Sequence, residues 1–275
     1  MIDGETTRRI VVAIDCSTHG RAAMNAAAAL AERLGAEVTA IFVEDLDLVR
    51  LAALPFAREI NAQAESRPFD VSRLERRLRA EVREAREACE LAAEARRVRA
   101  RFEVVRGSVV REILLAAEGA DILVLGRASS TTRRNAPLGR TAQSVLTGST
   151  RTIAVVPAGG DLGRPVAVVY DGSEASRRAL DLGLRLAGED HDNLIVLVPE
   201  DGERSAALAA EAGEAARAFG IEPRWERLRD GAAALEAVLT ARGCRALVID
   251  RESSLLDAGG ILGLVQRLSC PVFVI

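Results

Sequence analysis

Lysine is absent from this chain: all 37 basic side chains are arginine. Neither a Schiff-base lysine nor a phosphate-loop lysine can therefore operate here. Histidine is scarce, with only His19 and His191, far apart in sequence. The four cysteines, Cys16, Cys89, Cys244 and Cys270, are scattered, with no CxxC spacing. These shortages argue against a zinc site or a disulfide framework, and a reducing cytoplasm is the simplest compartment. No apolar run approaches the roughly 18 residues of a spanning helix. The N-terminal stretch "MIDGETTRRIVVAIDC" also lacks the architecture of a signal peptide. A net charge of −3 is small, so bulk electrostatics point to neither nucleic acid nor a membrane as partner. The expectation is a soluble globular chain, its 275 residues sufficient for one large domain or two ordinary ones.

What is present is a repeat. Residues 8–45 align without a gap on 164–201 at an offset of 156, pairing Asp15 with Asp171, Ser17 with Ser173 and Arg21 with Arg177. "RGSVVREILLAAEGADILVLG" (106–126) matches "DGAAALEAVLTARGCRALVID" (230–250) at an offset of 124, so the first half carries 32 extra residues between 46 and 105. Both halves close on an apolar run, "TIAVV" at 152–156 and "PVFVI" at 271–275. Duplication explains this pattern, and the turn-rich "PAGGDLGRP" at 157–165 reads as the linker. The domains expected are 1–158, with a long helical insert at about 46–100, and 164–275.

Each half has the same coarse order. "IVVAI" and "VAVVY" are continuous β-branched runs, as expected of strands buried on both faces. Each is followed by Asp-x-Ser and an alanine- and leucine-rich helix, for which Ser17 and Ser173 are N-caps. Strands and helices then alternate to the closing strand, which predicts an α/β fold: two tandem doubly wound parallel-sheet domains. The 32 extra residues are assigned mostly to one long helix at 71–99, with Leu74, Leu78, Val82, Ala85, Cys89 and Ala92 on one stripe. That stripe is expected to pack on its own domain, with a partner-docking helix as the alternative.

Ligands in open α/β sheets sit at the carboxyl ends of strands, near a change in strand order. In the first half those ends carry Asp15 and the loop that follows Gly126. A strand, a glycine, a polar loop and a helix start together present backbone N–H groups and a positive helix end, which suit a phosphate. Together "IVVAID.S", "ILVLG" with its long loop, "LGRT" at a helix start and a terminal apolar strand resemble the universal stress proteins in their tandem form. The resemblance spans nearly the whole chain. It implies a pseudo-twofold pair of adenine nucleotide alpha hydrolase-like domains binding ATP or another adenine nucleotide, with or without Mg2+. It implies a stress-response or regulatory module with at most slow ATP hydrolysis and no catalytic or metal residues. Nucleotide-binding members are similar to Gly-2x-Gly-9x-Gly-Ser/Thr in this loop. Here the spacing is kept as Gly126, Ser129, Gly139 and Arg140, so two of the four defining residues differ. On that resemblance the nucleotide contacts are Ala13, Ile14, Asp15, Val43, Gly126, Arg127, Ser129, Gly139, Arg140 and Thr141, with Asp15 on the ribose or adenine edge and Val43 on the adenine.

The departures alter the chemistry. Ser129 adds a Cβ where glycine could take positive φ. Arg140 removes a short hydroxyl contact and offers a guanidinium that binds phosphate in a fork. Thr141 carries a hydroxyl one position further on, and Arg127, Arg133 and Arg134 add positive charge. In the second half the corresponding region is five residues shorter, and Asp250 and Glu252 stand where Gly126 begins the loop. Two carboxylates would repel a phosphate, so this half is expected to be a structural partner. The alternative is a protein-interaction scaffold with a degenerate site; a homodimer and unknown protein partners stay open. A nucleotidyltransferase reading lacks a His-x-Gly-His signature, and His19 is expected to be exposed in the first helical turn.

Overall fold

A computed structural model of the chain describes residues 8–60, 66–128, 137–188, 193–229, 231–253, 255–256 and 260–275. The first half runs β1 (Arg9–Ala13), α1 (Thr18–Leu34), β2 (Glu37–Asp45), α2 (Leu46–Ala52), β3 (Arg58–Ile60) and β4 (Ser66–Pro68). It continues with α3 (Val71–Arg96), β5 (Ala100–Gly107), α4 (Val109–Glu118), β6 (Ile122–Gly126), α5 (Arg140–Gly148) and β7 (Thr152–Val156). The second half runs β8 (Val166–Val169), α6 (Glu174–Ala187), β9 (Leu194–Pro199), α7 (Gly202–Ala218) and β10 (Arg224–Leu228). It ends with α8 (Ala232–Ala241), β11 (Ala246–Ile249), α9 (Gly260–Arg267) and β12 (Val272–Val274).

Among the described residues, ten strands form one sheet in the order β10-β9-β8-β11-β12-β7-β6-β1-β2-β5. Within this sheet the pairing inside each half is parallel throughout. The first strand of each half lies between the second and the fourth, so the winding reverses beside β1 and beside β8. The halves join where β12 pairs antiparallel with β7, Val272 opposite Val155 and Val274 opposite Ile153. These apolar strands would otherwise be bare edges open to aggregation, and pairing them inside one chain closes both.

Alternation along each strand divides the interior into two layers. Ile10, Val12 and Ile14 face the layer of α1, α3, α6 and α7. Val11, Ile41 and Leu123 face the layer of α4, α5, α8 and α9. Alanine at 22, 23 and 26–29 lets α1 lie close on the sheet, and Gly35 ends the helix at φ 62 with its N–H on Ala31 O. His19, expected at the surface, is fully buried in the first turn of α1. The correction follows from the same close approach: the start of this helix is pressed against the end of β6 rather than against water.

The extra residues of the first half are distributed differently from the expectation. α3, with 26 residues, crosses from β2 to β5 as α7, with 17, crosses from β9 to β10. Parallel neighbours need such a crossover, so α3 belongs to the common fold and is merely longer. The added elements proper are α2 and the β3–β4 hairpin. Leu74, Ala85, Cys89 and Ala92 of the predicted stripe are buried, and Val82 packs partly buried beside them, so α3 covers its own domain.

Candidate functional site

The carboxyl ends of β1 and β6 meet at the reversal of winding. Ile14 N donates to Ile41 O at 2.9 Å, carrying the β1–β2 pairing one residue past β1. The chain then turns on Asp15, whose Oδ1 accepts from Ser17 N at 3.0 Å and from Ser17 Oγ at 2.5 Å. Ser17 in turn accepts from Gly20 N at 2.9 Å, the N-cap expected of it. The same hydroxyl lies 3.4 Å from Ala128 O, which brings the β1 turn against the start of the loop after β6. Ala13 and Val43 are half-buried and pack on the α4–α5 side of the sheet, while Ile14 is buried on the α1 side.

Gly126 is required by packing. A Cβ there would stand 2.9 Å from both C and O of His19 and 3.1 Å from Gly20 N. Gly20 answers it from the helix, since a side chain at Gly20 would strike the Asp15 backbone and carboxylate. Beyond Gly126, Arg127 N donates to Val156 O at 2.8 Å and keeps the chain in the sheet. The loop returns where Gly139 N donates to Arg127 O at 2.8 Å, so the base of the loop is closed by one backbone bond. Gly139 is the N-cap of α5, with φ −67 and ψ 151, and has no side chain to accept from the first-turn amides. Arg140 is exposed and Thr141 half-buried at that helix start. Ser129, Arg133 and Arg134 lie outside the described residues.

Arg127 is drawn away from the loop. Its side chain is 3% exposed, and Nη1 donates to Leu268 O at 2.8 Å and Gln266 O at 3.4 Å. These carbonyls close α9, in the other half, where a helix end lacks partners and attracts a cation. Burial lowers the guanidinium pKa from its ordinary value. Arg251 repeats the arrangement: its Nη1 donates to Leu146 O in the last turns of α5. Each half thus sends one arginine, Arg127 buried and Arg251 half-buried, across the seam to the other half's final helix. The sequence held the signal, because the offset of 124 that pairs Gly126 with Asp250 also pairs Arg127 with Arg251.

The second half lacks the close approach. Ser176 and Asp250 stand where Gly20 and Gly126 stand, and Asp250 Oδ1 accepts from Glu252 N at 3.3 Å. Asp171 accepts from Ser173 N at 2.9 Å. Burial raises its pKa, but hydrogen bonds from Ser173 and Ser176 outweigh that and leave it below the ordinary carboxylate value. A cleft of about 620 Å³ opens elsewhere, between α1, α3 and the turn at Gly159 to Asp161. Among the described residues no nucleotide candidate lines it, and its arginines are committed, Arg21 to Glu84 at 2.8 Å and Arg96 to Glu32 at 2.9 Å. Among the described residues no group of three or more His, Cys, Asp or Glu side chains could hold a metal ion. No described helix is long and apolar enough to cross a membrane.

Comparison with known proteins agrees with this architecture. A universal stress protein from Archaeoglobus fulgidus superposes with a TM-score of 0.71 at 19% identity, covering 98% of both chains. A functionally unknown protein from Pseudomonas aeruginosa superposes with a TM-score of 0.58 at 15% identity, over 98% of this chain and 92% of its own. At such identities the likeness concerns the fold, including the tandem arrangement. No curated protein sequence matches significantly. The sequence model of the Universal stress protein family matches residues 6–157, which include β1, β2, the Gly126 loop and β7. With more than half of its length matched and its fold shared from end to end, the chain belongs to the universal stress protein family.

Proposed function

We propose that the first half binds an adenine nucleotide, ATP or a close relative, and acts as a cytoplasmic stress-response regulator with at most slow hydrolysis. One observation carries the reading: the first turn of α5 is uncapped by a side chain and sits at the loop that returns beside the reversal of winding. Such a turn offers backbone N–H groups and a positive helix end to phosphate oxygens. Because Gly139 N is engaged by Arg127 O, the donors in this reading are the amides of Arg140, Thr141 and Ala142 and the Arg140 guanidinium. Half-buried Ala13 and Val43 would bed the adenine, and Asp15 Oδ2 is the oxygen left for a ribose hydroxyl. Gly126 contributes by letting α1 approach, and Arg127 by anchoring the loop's first residue. The second half would serve as a structural partner, with carboxylates at Asp250 and Glu252 where phosphate would lie. Four free cysteines suit a reducing compartment.

Titration calorimetry with ATP, ADP and AMP, with and without Mg2+, tests this. The expected result is one site per chain, abolished by Gly139→Asp and weakened by about 1.5–3 kcal/mol by Arg140→Ala if a charge-assisted hydrogen bond is lost. Asp15→Ala should lower the preference for ribonucleotides and spare phosphate affinity. The scaffold alternative is favoured by one fact, that Asp15 and Arg127 already have partners within the protein. Absence of binding at millimolar nucleotide would establish that alternative.

A further inference from the structure

The α6–α7 layer of the second half holds a polar group that the fold does not require. Tyr170, directly after β8, stands at the offset of 156 from Ile14, so the first half completes the same position with a plain hydrocarbon. Tyr170 is 1% exposed, its N–H donates to Leu197 O at 2.9 Å, and its side chain belongs to the core layer of α6 and α7. A buried phenol needs partners for its hydroxyl. Here the hydroxyl meets Glu211 of α7 and Arg177 of α6, which are bonded to each other at 2.8 Å. Both of those side chains are exposed, so the phenol lies beneath an ion pair rather than beneath packed hydrocarbon. A hydroxyl has one donor and two acceptor sites. The donor goes to Glu211 and Arg177 takes one acceptor site, which leaves the second acceptor site of the Tyr170 oxygen to be filled.

Beside this trio α6 and α7 part to leave a cavity of about 190 Å³. Tyr170, Leu180 and Leu184 form its buried wall, and Ala215 and Phe219 its exposed rim. We propose that this cavity binds a small neutral aromatic molecule, a single ring carrying one hydroxyl that donates to the Tyr170 oxygen. Three features select that ligand. The volume is somewhat above the roughly 150 Å³ of an apolar cavity that stays dry and takes up benzene, which suits one ring with one small substituent. The wall is two leucines and two aromatic rings, and the Phe219 ring offers its face or edge to a second ring. The charges at the rim cancel, Arg177 with Glu211 and Asp181 with Arg185 at 2.9 Å, so an ionised ligand would meet its own sign as well as the opposite one. Arg185 also lies over the Phe219 ring, 5.6 Å from its centre, which steadies that side of the cavity. The site belongs to the half to which the nucleotide reading assigns no ligand, and it stands or falls independently of that reading.

Fluorine NMR of para-fluorophenol with the full chain, without nucleotide, tests the site. The expected result is one saturable site in the wild type. The ring signals of Tyr170, the chain's only tyrosine, should shift as the site fills, a readout that needs no variant. Ala215→Leu enlarges an exposed position at the rim and should abolish binding while leaving the core as it is. Tyr170→Phe should weaken para-fluorophenol about five- to tenfold and leave fluorobenzene unchanged, since it removes a hydrogen bond and keeps the ring. Absence of saturable binding at millimolar probe, binding that survives Ala215→Leu, or a Tyr170→Phe protein that loses both probes alike would each overturn the proposal. Tighter binding of para-fluorobenzoate than of para-fluorophenol would overturn the assignment to a neutral ligand.

Discussion

Gly126→Ala separates the two reasons for a glycine at the end of β6. If the residue serves chiefly to let phosphate approach the backbone, the protein without nucleotide should tolerate alanine. The structure argues otherwise, because the added Cβ meets His19 C and O at 2.9 Å and Gly20 N at 3.1 Å. All three are backbone atoms in the first turn of α1, a helix whose position is set by its alanine face on the sheet. They cannot rotate aside as a side-chain tip would. Moving the helix instead disturbs a close-packed layer, and such overpacking costs about 1–3 kcal/mol. At roughly 2–4 °C per kcal/mol for chains of this class, Tm should fall by about 2–12 °C. Differential scanning fluorimetry of the nucleotide-free protein measures it, with Gly119→Ala as the control. There φ is −92 and the nearest contact for a new Cβ is Arg9 Nη1 at 4.0 Å, so no loss is expected. A Gly126→Ala protein melting within about 1 °C of wild type, a shift smaller than one kcal/mol implies, would refute the packing argument. If that stable protein also bound no nucleotide, Gly126 would return to the phosphates.

Removing the guanidinium in Arg127→Met leaves the Leu268 and Gln266 carbonyls short of a donor, and urea unfolding should show a loss of about 1–3 kcal/mol. Arg251→Met should act likewise through Leu146 O; unchanged midpoints in both would show that the seam does not depend on them. Ser17→Ala and Ser173→Ala should each cost about 0.5–2 kcal/mol as lost N-caps, and an equal stability to wild type would contradict the capping geometry. Tyr170 is the chain's only tyrosine, so tyrosinate absorbance reports it alone. Burial, then Glu211, pushes its pKa up to about 12. A raised folded pKa favours the neutral phenol, so its contribution to stability is whole below the ordinary value of 10.0 and is lost as pH climbs toward about 12. Ionisation of the folded protein near pH 10 would contradict that environment.

The duplication, the strand–helix alternation and the Ser17 and Ser173 caps were legible because they rest on local rules. Continuous β-branched runs, helical spacing and a serine before a helix each carry their meaning within a few residues. The offset of 156 then let one half vouch for the other. The fate of single polar side chains was not legible in this way. Arg127 sits in a loop that reads as cationic, yet it caps α9 from 139 and 141 residues away, because only the assembled seam brings those carbonyls beside it. His19 has the neighbours of an exposed first turn, and it is buried because β6 and α1 approach through Gly126 and Gly20. Likewise the extra residues of the first half could be counted from the alignment. Assigning them to α2 and the hairpin, with α3 as a lengthened crossover, required the strand order, since a parallel connection is defined by which strands end up as neighbours. Composition and periodicity therefore determined which elements form and how often the plan repeats. Long-range packing decided which glycine is a contact and which arginine is a latch.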